Sequence, residues 1–129
     1  MRKHATTIAE ILMIAYWIAA AALAFGLIYI DPEWMYSDHE NPLVIAWNWS
    51  FFPIDIAFAA LGLFAKFGNM NAARRFKLEI TAATLMICAG LMAISFWLIT
   101  ADFNVAWWAV NIWLIVLGLL NLTRITPQT

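Results

Sequence analysis

Charge is scarce in this chain. Of its 129 residues seven are Lys or Arg and eight are Asp or Glu, so the two signs nearly cancel to a formal net charge of −1. Nucleic acid is thereby excluded as a partner, because phosphate binding needs a clustered basic face. Cysteine is scarcer still. The lone Cys88 lies inside an apolar run, which rules out an intrachain disulfide and any zinc or Cys-x-x-Cys redox spacing. The sequence also lacks a glycine-rich phosphate loop, a His-Glu-x-x-His pair and a convincing serine triad, so neither metal nor cofactor is expected.

What is abundant is apolar surface. Apolar residues make up 65% of the chain and aromatic residues 16%. A single small soluble core buries only about two thirds of what the unfolded chain exposes, so most of this sequence belongs in lipid. A spanning helix requires about 20 mainly apolar residues to cross roughly 30 Å of hydrocarbon. Four stretches qualify, at about 8–30, 43–65, 80–99 and 105–122. The expected fold is therefore all-α: one transmembrane domain over 1–129, built as an integral membrane four-helix bundle.

Basic residues resist translocation, and here they fall on one side only. Arg2 and Lys3 precede the first segment, Lys66, Arg74, Arg75 and Lys77 lie between the second and third, and Arg124 follows the fourth. The other two loops carry Asp31, Glu33, Asp38, Glu40 and Asp102 instead. Both termini are thus expected in the cytoplasm, with the chain multi-pass in a bacterial cytoplasmic (inner) membrane. This bias opposes a dual-topology arrangement. It also puts His4 and His39 on opposite sides, which excludes a bis-histidine haem within one chain. The first segment could be weighed as a signal peptide, but its apolar run is too long for one and it contains Glu10 and Trp17.

Three acids remain in or beside the segments, where an unpaired charge costs several kcal/mol. Glu10 and Glu79 fall near the cytoplasmic edge, within reach of Lys3, Arg75 or Lys77. Asp55 is deeper, roughly 15 Å into the second segment by helical rise. It reads either as a hydrogen-bonded lock between helices or as a proton carrier, catalytic acid or cation partner in a cavity. Pro53, two residues earlier, removes a backbone donor and predicts a kink with the Trp49 carbonyl released. Asn48 and Phe52 share a helical face with Asp55. In the fourth segment Asn104, Trp108 and Asn111 recur at spacings of four and three, again one face. In the third, Glu79, Ala83, Met86, Gly90, Ala93 and Trp97 form a stripe whose small members allow helices to approach closely.

Six of the eight tryptophans, Trp34, Trp47, Trp49, Trp97, Trp107 and Trp108, fall in the outer loop or outer half, as an interfacial belt would. Trp17 and Trp113 do not fit a belt. With Trp17 and Trp113 turned inward beside Asn48, Asn111 and Asp55, the bundle would hold an aromatic pocket with a few polar groups, the usual makeup of a small-molecule site.

The string from Asn41 and Pro42 through Ala46, Trp47, Asn48, Trp49 and Ser50 to Pro53 and Asp55 resembles the YvaD-like family of small bacterial membrane proteins. Ser95, Phe96 and Trp97 do so too, as do Asp102, Phe103 and Asn104 with Trp107, Trp108 and Asn111. The resemblance implies a four-helix bacterial membrane protein and no particular activity. Three roles follow as expectations. The first is binding of a lipid or small apolar molecule, or service as an accessory subunit in a homo-oligomer or larger membrane complex. The second is an isomerase or cyclase with Asp55 as acid or base and Trp17, Trp47 and Trp113 stabilising positive charge. The third is a proton-coupled exporter working as an oligomer, in which Glu10, rather shallow for it, would carry the proton.

Overall fold

The computed structural model describes residues 2–31 and 38–124, so Glu33 and Trp34 of the first loop lie outside the described residues. Within them the chain is helical: α1 (Arg2–Ala24), α2 (Pro42–Ser50), α3 (Phe52–Phe67), α4 (Ala72–Ile99) and α5 (Val105–Leu122). With α2 and α3 forming one broken span, four spans are long and apolar enough to cross a membrane, and no strand occurs among the described residues. The protein is an all-α, multi-pass membrane protein.

Two helix ends differ from the apolar runs. The first run continues to Ile30, yet α1 stops at Ala24, because Gly26 takes φ 69° and closes a Schellman turn. Leu27 N–H donates to the Ala22 carbonyl and Gly26 N–H to that of Leu23. The third helix begins eight residues before its apolar run, at Ala72, since the Asn71 side chain accepts the Arg74 N–H at 2.8 Å and caps it. Asn104 caps α5 in the same way through the Trp107 N–H, so it serves the helix start and not the polar face assigned to it with Trp108 and Asn111.

α1 packs along α3, α3 along α4 and α4 along α5, while α1 and α5 touch at few points. Between helices in lipid the attraction comes from close packing and hydrogen bonds, because acyl chains are as apolar as the side chains. α4 and α5 meet through glycines. A Cβ on Gly90 would stand 2.7 Å from the Asn111 carbonyl oxygen, and one on Gly118 would stand 2.9 Å from that of Ala83. The stripe Ala83, Met86, Gly90, Ala93 and Trp97 is the buried face of α4.

α1 is held differently, by polar contacts. Thr6 and Asn121 share hydrogen bonds that join α1 to α5. Glu10 is only 2% exposed and pairs with Lys66 of α3 at 2.5 Å, its carboxylate lying over Gly62, where any Cβ would collide with it. The partner found is therefore Lys66 and not Arg75 or Lys77, while the Lys3 side chain lies outside the described residues. Lys66 ends the apolar run of the second span, so its side chain can reach back along the α1 seam while staying a quarter exposed.

Two stability predictions follow. Gly118→Leu should lower stability by about 1–3 kcal/mol by wedging α4 from α5, whereas Ala109→Leu on the exposed face should change it little; unfolding in bicelles measures both. Lys66→Met should cost up to about 3 kcal/mol, because it strands a buried carboxylate. Adding Glu10→Gln should recover most of that loss, and a double variant as unstable as the single one would show that the pair is not the reason.

Candidate functional site

The site is organised by the break in the second span. Proline at position 53 cannot donate to the carbonyl four residues earlier, and the helix interrupts at Phe51. There the Phe51 N–H turns to the Asn48 carbonyl at 3.1 Å, and regular bonding resumes with the Asp55 N–H on the Phe51 carbonyl at 2.9 Å. The interruption creates a second helix start inside the span. Asp55 sits in the first turn of α3, where the positive end of the helix dipole favours an acidic group.

Trp17 reaches Asp55 from the neighbouring helix. Its indole Nε1 donates to Asp55 Oδ2 at 2.9 Å, and both side chains are buried. Three rings enclose the indole: Tyr16 at 5.2 Å and 80°, Trp49 at 5.4 Å and 53°, and Phe52 at 5.3 Å and 75°. Edge-to-face placement of this kind is the favoured geometry for aromatic pairs. Tyr16 also points its hydroxyl at Asn48 Oδ1, a long contact of 3.5 Å, and Asn48 is buried.

A second aromatic group adjoins the first on the side of the loop at 100–104. Trp47 stacks on Phe96 at 3.9 Å and 19°, and meets Phe51, Trp97 and Trp107 at steeper angles. Trp97 is buried with Val44, while Trp47 and Trp107 pack against both groups and make them continuous. Trp108 is half-buried at the edge of this group, its Nε1 donating to the Asp102 carbonyl at 3.3 Å and so fastening the loop.

Three of the expected site residues are placed otherwise. Trp113 does not turn inward: it is 51% exposed. The buried face of α5 is Asn111, Leu114, Leu117 and Gly118, and two residues beyond Asn111 the helix has rotated about 200°, to the opposite side. Phe52 is 42% exposed, because the break at Phe51 interrupts the face drawn through Asn48, Phe52 and Asp55. It flanks Trp17 from the outside. Asn111 is buried, but its amide donates to the Trp107 carbonyl of its own helix at 2.9 Å. Tyr16, Trp49, Phe51 and Phe96 belong to the site although sequence spacing did not select them. The only signal for Tyr16 was its place beside Trp17.

Asp55 can accept or, when protonated, donate, whereas an indole N–H only donates. Trp17 thus fixes one carboxyl oxygen and leaves further hydrogen-bonding capacity on the group. Among the described residues no basic side chain forms an ion pair with Asp55, and no three His, Cys, Asp or Glu side chains gather to hold a metal.

The chain matches a model of the family of unknown function DUF5360 over residues 2–128. It is 36% identical over 110 residues to the uncharacterized protein YvaD of Bacillus subtilis (strain 168), an overlap covering 84% of this chain and 79% of that one. No solved structure matches it. The strings around Trp47 to Asp55 and Trp107 to Asn111 thus sit in a match that runs nearly end to end, and the chain belongs to the DUF5360 family, with YvaD among its relatives.

Proposed function

We propose that this protein is a non-catalytic membrane protein that binds a small apolar molecule in its bundle, between the Asp55–Trp17 pair and the tryptophan group around Trp47. It would lie in a bacterial cytoplasmic membrane with both termini inside, the orientation favoured by its one-sided basic residues. One observation carries the reading: a buried acid inside an apolar span is held by a single indole N–H, with aromatic rings on several sides. Intramembrane acids are retained mainly where they serve a site, and aromatic walls with few polar groups are the usual surroundings of a small ligand. Binding is favoured over acid–base chemistry because the side chain that hydrogen-bonds Asp55 among the described residues is the Trp17 indole, which donates only and cannot relay a proton.

Native mass spectrometry of protein released gently from its own membrane tests the reading. A defined small molecule should leave with the wild type, and its occupancy should fall about tenfold in Asp55→Asn, the loss of one hydrogen bond, while the helical content holds. Bulk lipid alone, or a stoichiometric protein partner indifferent to Asp55, would replace this reading with that of an accessory subunit.

A further inference from the structure

Three indoles of the bundle can be compared by what their N–H groups do. Trp17 donates to Asp55 and Trp108 to the Asp102 carbonyl. Trp97 is as buried as Trp17, at 3% exposure, yet its Nε1 finds no hydrogen-bond acceptor among the described residues. Among the described residues its ring neighbours stand nearly perpendicular to it, Phe96 at 87°, Trp47 at 86° and Trp107 at 79°. A ring face offers an N–H donor far less than a carbonyl does. Although Trp97 stands two residues from the end of α4, its Nε1 is covered, and a buried donor without a partner is costly. Packing alone would be served by phenylalanine, which carries no such donor.

We infer that Trp97 Nε1 is the polar anchor of the binding site, donating to the carbonyl oxygen of a flat, uncharged ring compound that lies among Trp47, Phe96 and Trp107. The inference rests on the small-molecule reading above and adds the chemical class of the guest. Flatness follows from the walls, which are rings already in contact, Trp47 stacked on Phe96 at 3.9 Å, so that a planar guest is the shape that can exchange for such a ring contact. Neutrality follows from charge. Asp31, Asp38, Glu40 and Asp102 lie in the loops at this end and no Lys or Arg does, so an anionic acceptor would be repelled. An oxygen acceptor follows from the donor itself, since indole N–H cannot accept.

The probes are 9-fluorenone and fluorene, which share one flat shape and differ in a carbonyl against a methylene. Binding of each to the protein in nanodiscs is measured by equilibrium dialysis, with empty nanodiscs subtracting partition into lipid. Wild type should hold fluorenone about tenfold more tightly than fluorene, the effect of one hydrogen bond. Replacing Trp97 by 3-benzothienylalanine, which exchanges the N–H for sulfur at nearly constant shape, should erase that preference. Because the N–H has no partner to lose, the ligand-free thermal midpoint of this variant should not fall, and Trp97→Phe should behave alike in binding. A preference that survives the exchange, or a lowered ligand-free midpoint, would overturn the assignment. Equal binding of both probes that depends on Asp55 would reject the role of Trp97 and leave the binding site standing. Binding of neither would reject the flat-ring class.

Discussion

Inside hydrocarbon a polar side chain has to be answered by the protein itself, and in this bundle the deepest acid, Asp55, is answered by the indole of Trp17 from another helix. Much else is arranged around that contact. The break at Phe51 gives Asp55 a helix start of its own. The rings of Tyr16, Trp49 and Phe52 hold the indole in place. Turning α1 by a single residue would rotate Trp17 about 100° away and leave both groups unmet.

The same logic fixes how α1 lies on α3. Along α1 the buried positions Thr6, Glu10, Trp17 and Ala20, with half-buried Met13, repeat at spacings of four and three, the period of a left-handed seam. Along α3 the facing series is Asp55, Ala59, Gly62 and Lys66. Running antiparallel, Trp17 meets Asp55 at one level, and two turns away Glu10 meets Gly62 and Lys66. Lipid gives little reason for one apolar register over another, so these paired polar levels specify the register. α4 and α5 use shape instead, each glycine admitting the other helix's backbone.

The four spans could be read from hydropathy, and α5 occupies the very residues its apolar run marks. Counted by helical rise, which is nearly invariant, position 17 also falls level with Asp55. Apolar runs report where lipid is, however, and helix ends obey capping: Gly26 ends α1 inside its run and Asn71 starts α4 before one. Side-chain direction was harder. Trp113 was expected inside for lack of a belt position, yet lies outside because α5 turns its glycine and asparagine face inward. The Lys66 partner of Glu10 was missed because a basic residue at a span's end reads as an orientation signal, while its long stem lets it serve a buried acid as well. No sequence pattern distinguishes Trp97 from Trp108, since the difference is whether a carbonyl lies opposite the N–H.

The interdependence of Asp55 and Trp17 can be measured by a double-mutant cycle on unfolding free energy in bicelles, with Trp17→Phe and Asp55→Leu. If the hydrogen bond joins α1 to α3, each single change strands the other group, and the double variant should be less destabilised than the sum by about 1–3 kcal/mol. Effects that add to within about 0.5 kcal/mol would mean that the two side chains are merely neighbours, and that something else holds α1 in register.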